Sequence, residues 1–169
     1  MYELIKLIFD ICLFKKGPAA VPYSVWLLRL LLVTDIAVSF LLGRLTGDGF
    51  RALLQAFASV LLLMTFAAVV LAIAGKSARF IQTATALIGA DTLISFFAIP
   101  GTATMSIGQN NILVYLTMTG LIIWQWAITG HIIRNALGKP LLFGFGLAFL
   151  YVFTSYQVMA LLFPDAGTL

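Results

Sequence analysis

The sequence predicts an all-α polytopic membrane protein: five transmembrane helices preceded by a short N-terminal helix. Of its 169 residues, 62% are hydrophobic and only 9% are charged, against roughly 45–50% and roughly 25% in soluble globular domains. The apolar residues fall into five runs, each close to the about 20 residues that a helix needs to cross a bilayer. Because the connections between the runs are short, we expect one compact bundle without a soluble domain.

The first segment, residues 1–14, has the pattern of an amphipathic helix. Its polar residues Glu3, Lys6 and Asp10 recur at spacings of three and four, which places them on one side of a helix. A helix of this length extends only about 21 Å, too short to span comfortably. We therefore favour an interfacial helix lying in the membrane surface. The alternative is that it packs against the bundle as a core helix.

Residues 15–24 follow as a linker at the level of the lipid headgroups. Gly17, Pro18 and Pro22 prevent the first helix from continuing, and Ser24 is suited to be the N-cap of the next helix. An uncharged loop, 101–111, is predicted between the third and fourth spans. The predicted spans of the single bundle 25–163 are 25–43, 50–75, 80–100, 112–137 and 141–163, and a short external tail, 164–169, ends the chain.

The basic residues predict the orientation of the bundle. Lys and Arg concentrate in the short cytoplasmic loops of membrane proteins. With the N-terminus cytoplasmic and the C-terminus periplasmic, seven of these residues lie on the cytoplasmic (inner) side of the membrane and two on the periplasmic (outer) side. The inner set is Lys6, Lys15, Lys16, Lys76, Arg79, Arg134 and Lys139, and the outer set is Arg44 and Arg51.

Composition also argues against several kinds of chemistry. The net charge of +4 comes from basic residues scattered at the ends of apolar runs, whereas nucleic-acid binding calls for a clustered patch. The single cysteine, Cys12, cannot form an intramolecular disulfide. No group of Cys and His residues has the spacing of a metal site. We therefore expect no nucleic-acid partner, no metal and no other cofactor.

Two acidic residues are the leading candidates for a site within the membrane. Asp35 lies near the middle of the first span and Asp91 near the middle of the third, where an ionisable side chain is costly and often functional. We expect both to face the interior and to meet polar side chains of neighbouring helices. They then serve either as hydrogen-bonded ties or as a proton or cation relay. The expected polar partners are Gln55, Gln125, Gln157, Thr85 and Thr92.

A second set of candidates is cationic and lies near the predicted cytoplasmic surface. Arg29 is about one turn into the first span, so its long side chain can extend back to the headgroups. His131 and Arg134 share a helix face near the end of the fourth span, where positive charge favours a helix C-terminus and anionic lipids. We expect anchoring or lipid-headgroup contacts from Lys15, Lys16, Arg29, His131, Arg134 and Lys139.

Two stretches carry a resemblance to known membrane proteins. The segment from Lys15 to Ser24 and the segment from His131 to Leu137 resemble those of small inner-membrane proteins of Proteobacteria that have no assigned role. More remotely, an N-terminal segment followed by five closely spaced helices is similar to the Yip family, which is associated with membrane trafficking in eukaryotes. The resemblance implies a bacterial inner-membrane location and supplies no catalytic residues.

The sequence thus favours a non-enzymatic membrane protein that acts through contacts with membrane lipids, with other membrane proteins or with itself, for example as an accessory subunit of a larger complex. The competing hypothesis is a small transporter or ion-conducting protein that uses Asp35 and Asp91. A third hypothesis is an intramembrane enzyme acting on lipid through His131 and Arg134, although no nucleophile at an interpretable spacing accompanies them.

Overall fold

The computed structural model describes residues 2–108 and 111–164, and within these ranges the regular structure is entirely helical. Two short 3₁₀ turns, Pro18–Ala20 and Ser77–Arg79, lie between α-helices. The predicted external tail lies outside the described residues from position 165 onward. The six α-helices are α1 Tyr2–Cys12, α2 Val25–Thr46, α3 Gly49–Ile73, α4 Phe80–Ser106, α5 Ile112–Leu137 and α6 Leu141–Leu162.

Helices α2 to α6 are each long and apolar enough to cross a membrane. The bounds of α5 are those expected from the sequence, and α6 ends one residue before the predicted end. Helix α2 continues three residues past the predicted end at Gly43. Helix α3 begins at Gly49 because the Asp48 side chain caps it, accepting hydrogen bonds from the backbone N–H groups of Phe50 and Arg51 at 3.2 and 3.3 Å.

The predicted end of the third span at Pro100 is wrong, because α4 continues through this residue to Ser106. Proline removes one backbone hydrogen bond, which usually ends or kinks a helix in water. Apolar surroundings favour intrahelical hydrogen bonds strongly, so membrane helices tolerate proline better. The hydroxyl of Thr104 donates to the carbonyl of Pro100 at 2.8 Å and adds a bond to this turn. Most of the expected loop is therefore helix.

Helix α4 is the centre of the bundle. It packs against α2, α3 and α5, while α6 packs mainly on α5. Every residue of the segment 83–90 is buried. The short connections make successive helices antiparallel, so α2, α4 and α6 begin at the end where α3 and α5 terminate. We call this the basic end, because it holds Lys76, Arg79, Arg134 and Lys139.

Glycine permits close helix contacts at two places in the bundle. A Cβ atom added to Gly43 of α2 would lie 2.7 Å from Cβ of Ala52 in α3. A Cβ atom added to Gly144 of α6 would clash with the carbonyl oxygen of Gly130 and lie 2.8 Å from Cβ of Arg134, both in α5. Small residues of this kind let membrane helices approach closely.

Helix α1 packs against the middle of the spanning helices. Ile8 packs against Gly89 of α4, in the space that a side chain at position 89 would need. Phe9 contacts Phe97 of α4 edge-on, with 6.2 Å between the ring centroids. The indole N–H of Trp124 in α5 donates to the carbonyl of Cys12 at 3.0 Å. These contacts agree with the alternative of a helix packed on the bundle, whereas its place in the membrane surface stays a prediction.

Candidate functional site

The two intramembrane acids lie in one polar cluster between the helices. Asp35 of α2 is almost fully buried, at 1% exposure. The hydroxyl of Thr92 in α4 lies 2.8 Å from Oδ1 of Asp35 and 2.8 Å from the carbonyl oxygen of Ile88 in its own helix. Because a hydroxyl has one proton, Thr92 either donates to Asp35, or donates to Ile88 and accepts a bond from protonated Asp35. Both arrangements tie α2 to α4.

Asp91, the neighbour of Thr92 in α4, is tied to α5. The side-chain N–H of Gln125 donates to Oδ1 of Asp91 at 2.5 Å. The remaining amide oxygen of Gln125 is buried and has no hydrogen-bond partner in the described part of the chain, and the same holds for the indole nitrogen of Trp126. A groove of about 260 Å³ between α4, α5 and α6 is lined by these three residues and Ser95.

Four helices bring this cluster together at one depth. At 1.5 Å per residue, Asp35, Asp91, Gln125 and Tyr151 lie about 15 to 18 Å from the basic-end residue of their helices. The carboxyl groups of Asp35 and Asp91 are close enough to interact electrostatically. The hydroxyl of Tyr151 in α6 is also close enough to interact with each of them. The cluster is thus a polar layer near the middle of the spans.

Not all the expected partners of the acids reach them. The hydroxyl of Thr85 donates instead to the carbonyl of Ile81 in its own helix at 2.6 Å. Gln157 is exposed on the outer face of α6, and Gln55 lines a different groove. The sequence indicates which residues are polar at membrane depth, but the direction of each side chain depends on how the helix is rotated against its neighbours.

Gln55 belongs to what we call the flank groove, an opening of about 320 Å³ between α2, α3 and α6 in the half of the bundle away from the basic end. Four polar side chains, Ser39, Gln55, Ser59 and Tyr156, line it together with small and apolar residues. The hydroxyl of Ser59 donates to the backbone carbonyl of Gln55 at 2.9 Å. Within residues 2–108 and 111–164, the side chains of the other three, Ser39, Gln55 and Tyr156, form no hydrogen bond. The groove therefore offers unused hydrogen-bonding groups on a face that apolar residues surround.

His131 is buried, at 7% exposure, so it does not face lipid headgroups as expected. Its Nε2 atom lies 3.1 Å from the carbonyl oxygen of Lys16 and 3.1 Å from the side-chain nitrogen of Asn135, so the protonation of Nε2 decides which bond forms. Its ring also contacts Phe14 edge-on at 5.2 Å. His131 consequently anchors the N-terminal segment to α5.

An ion pair and a ring contact hold the linker after α1 in place. The ammonium of Lys16 lies 2.9 Å from the carboxylate of Asp10 and holds the pKa of Asp10 below its usual value. Phe14 has a φ of 61°, in the left-handed region that L residues with bulky side chains rarely adopt. The contact of Phe14 with His131 supports this turn. Lys15 is exposed beside it.

The other cationic candidates differ in their surroundings. Arg29 and Lys139 are exposed, as headgroup contacts require, and Arg134 is half-buried. In the sequence, Lys76 and Arg79 stand out only as orientation signals, yet in the structure they bind the C-terminus of α5. Lys76 donates to the carbonyl of Leu137 at 2.5 Å and Arg79 to that of Ala136 at 3.1 Å, carbonyls that the helix itself leaves unpaired.

The five long apolar helices and the buried polar layer define a multi-pass helical membrane protein. No protein-family model, curated protein or solved structure that was compared with the chain matches it. The described residues contain no group of three or more His, Cys, Asp or Glu side chains that could hold a metal ion. The two grooves and the polar layer are the features of the described residues that bear on function.

Proposed function

We propose that this is a non-enzymatic membrane protein that acts by binding other membrane components, lipids or transmembrane proteins, for example as an accessory subunit of a larger complex. The observation that carries the proposal is the flank groove. Three of its polar side chains, which have no hydrogen bond among the described residues, lie where an unpaired hydrogen-bonding group costs several kcal/mol in hydrocarbon, about 4–8 by transfer to an apolar solvent. A bound component that pairs with them removes this cost.

The test is recovery of bound components from native membranes. The protein is extracted in a mild detergent, and the lipids and proteins that remain with it are identified by mass spectrometry. We expect at least one component to be retained by the unmodified protein and reduced in Gln55→Leu. The matched control is Gln157→Leu, which removes the same amide from an exposed site. A chain that always runs as a lipid-free monomer contradicts the proposal.

For its location we propose a bacterial cytoplasmic (inner) membrane, with the N-terminus cytoplasmic and the C-terminus periplasmic. The gathering of basic residues at one end of the bundle supports this orientation, and the plan of an N-terminal segment followed by five helices supports the resemblance to Yip proteins. Reporter fusions after Asp48 and after Lys139 test the orientation. Phosphatase activity is expected only from the first and green fluorescence only from the second, and the reverse result would overturn it.

A second candidate function, proton or cation relay, is favoured by one specific observation. Asp35 and Asp91 interact electrostatically at one depth, and Asp91 borders a groove with two unpaired polar atoms. Such a site can hold a water molecule or a small ion. In proteoliposomes, Asp35→Asn and Asp91→Asn are expected to abolish any proton or cation flux. Flux that is absent from the unmodified protein, or that survives both changes, eliminates the relay.

A further inference from the structure

The groove of about 260 Å³ between α4, α5 and α6, which we call the Asp91 groove, combines an incompletely paired acid with an outward opening. One carboxylate oxygen of Asp91 accepts a hydrogen bond from Gln125, whereas the other accepts none from the described residues. The Asp91 side chain lines the groove and is partly exposed. One oxygen of this acid is therefore available to a molecule that approaches from the side of the bundle.

The other polar atoms of the Asp91 groove are mainly acceptors. The buried Oε1 atom of Gln125 has no partner among the described residues, and the buried indole N–H of Trp126 is the one unpaired donor beside it. Asp91 and Gln125 lie about 17 and 18 Å from the basic-end residues of their helices, so their oxygens share one depth. Two neighbouring acceptors of this kind suit a cationic group, because an ammonium or guanidinium has only donors.

The spanning helices supply no cation at the depth of Asp91. Helices α2 to α6 contain no lysine, and their arginines all lie within about 6 Å of an end of their helix. Lys6 of α1 is on the other side of α4, because Ile8 packs against Gly89, about 160° around α4 from Asp91. A counter-charge for Asp91 therefore has to come from another molecule. The arginines in question are Arg29, Arg44, Arg51 and Arg134.

Asp35 adds to the demand for a cation. Its carboxyl group and that of Asp91 are close enough to interact electrostatically, and two negative charges repel strongly where little water screens them. Ionisable side chains within a membrane usually pair with a group of opposite charge. A cation bound at Asp91 offsets this repulsion and gives Asp91 such a partner.

The surroundings of the Asp91 groove favour a transmembrane helix as the carrier of this cation. The groove opens at mid-depth between the exposed apolar side chains of Ile122 in α5 and Val152 in α6. A free hydrated ion has to cross hydrocarbon to reach this opening, whereas a helix in the bilayer already holds its side chains at that depth. Ala98 and Met118 also line the groove and can pack against the apolar side chains of such a helix.

We propose that the Asp91 groove binds a transmembrane helix of a partner protein through a lysine or arginine near the middle of that helix. The cation pairs with the free carboxylate oxygen of Asp91 and with the amide oxygen of Gln125, and the helix covers Ile122 and Val152. This inference rests on the proposed function, the binding of a membrane component, and gives the chemistry of the partner. It uses a face of the bundle that is separate from the flank groove.

The experiment measures association in lipid bilayers between the full chain and a designed single-span peptide. The peptide is a helix of about 20 leucine and alanine residues with one lysine at its centre. It carries an acceptor dye, and the chain carries a donor dye on a C-terminal tag, so energy transfer at increasing peptide-to-lipid ratios gives the affinity. We expect the lysine peptide to bind about tenfold more tightly, equivalent to about 1.4 kcal/mol, than the same peptide with a central leucine or glutamine.

Asp91→Asn keeps the shape of the side chain and removes its charge. We expect this variant to lower the affinity for the lysine peptide about tenfold. The matched control is Glu3→Gln, which removes a carboxylate from an exposed position of α1, on the other side of α4. It is expected to leave the affinity unchanged, so the pair distinguishes binding at Asp91 from a general attraction between the peptide and the chain.

Ile122→Trp blocks the opening of the groove without altering the polar layer. Because Ile122 is 65% exposed, this variant keeps the test valid if Asp91→Asn fails to fold. We expect it to lower the affinity for the lysine peptide about tenfold. Its control is Leu113→Trp, because Leu113 is 67% exposed and lies nine residues earlier, about 180° around α5. This control is expected to bind the peptide normally.

Several results overturn the proposal. They are equal affinities for the lysine, leucine and glutamine peptides, unchanged affinity in both Asp91→Asn and Ile122→Trp, or an equal loss in Glu3→Gln. A cation flux that Asp91→Asn abolishes, without preference for the lysine peptide, assigns the groove to ion conduction instead. In each case, retention of membrane components that depends on Gln55 leaves the proposed function standing. A chain that retains no component from native membranes contradicts the proposed function, whatever the peptides do.

Discussion

Asp35 of α2 and Thr92 of α4, which are 57 positions apart in the chain, are joined by a hydrogen bond of 2.8 Å in the buried centre of the bundle. The neighbouring Asp91 extends the connection to Gln125 of α5. Hydrogen bonds between membrane helices contribute about 0.6 kcal/mol on average and up to about 2 kcal/mol. The polar layer therefore has a structural role whether or not it also moves protons.

The Thr92 hydroxyl can be removed without a large change in side-chain shape. We expect Thr92→Val to lower the free energy of unfolding by about 1–2 kcal/mol, because Asp35 loses its partner in an apolar interior. Unfolding in mixed micelles by increasing sodium dodecyl sulfate measures the change. The control is Thr117→Val, since the exposed Thr117 donates to the carbonyl of Leu113 in its own helix and, among the described residues, to no other helix. Equal losses in the two variants would contradict an interhelical tie.

Gln125 and Gln157 form a matched pair with opposite surroundings. Gln125→Leu breaks the bond to Asp91 and leaves a partly buried carboxyl group without that partner, so we expect a loss of about 1–3 kcal/mol in the free energy of unfolding. Gln157→Leu replaces an exposed amide on α6 and is expected to have little effect or to stabilise slightly in lipid. The same unfolding assay distinguishes them, and a larger loss for Gln157→Leu would refute the assignment.

The contact between α5 and α6 predicts a difference between two glycines of α6. Gly144→Ala places a Cβ atom against the backbone of α5, so we expect a loss of about 1–3 kcal/mol from overpacking. Gly146→Ala meets no atom within 4 Å and is expected to be neutral or stabilising, because alanine favours a helix by about 1 kcal/mol over glycine. Thermal unfolding in detergent compares them. Identical melting temperatures would rule out the close contact.

Cys12 reports on the packing of α1, since it is the chain's single cysteine and is completely buried. Burial raises the pKa of its thiol to about 12, so the thiol stays protonated and unreactive at neutral pH. We expect N-ethylmaleimide to label Cys12 only after denaturation. Trp124→Phe removes the hydrogen bond to the Cys12 carbonyl and is expected to speed labelling in the folded protein.

The control for this experiment is Trp26→Phe, because Trp26 is 68% exposed. Its substitution should leave the labelling rate unchanged. Fast labelling of the unmodified protein at neutral pH would show that α1 is not packed as described, and would favour the predicted position in the membrane surface.

Composition and hydropathy alone predict a helical protein with five spans, because a hydrocarbon layer requires long apolar segments whose backbone bonds are satisfied within each helix. The sequence also identifies Asp35 and Asp91 as intramembrane polar residues. The bounds of α5 follow from the same local signals, including Asn111 as N-cap and Gly138, whose φ is 63°, at the C-terminus. Local signals misled at Pro100, where a rule from soluble helices did not apply.

Which polar groups meet depends on how the helices pack against one another. Helix rotation turns Gln125 towards Asp91 but turns Gln157 outward, although both are glutamines within apolar helices. The bond between Trp124 and the Cys12 carbonyl joins positions 112 apart, and no local pattern marks it. Such contacts depend on the packing of all the helices at once, since small residues such as Gly89 and Gly144 set how closely and at what rotation the helices approach.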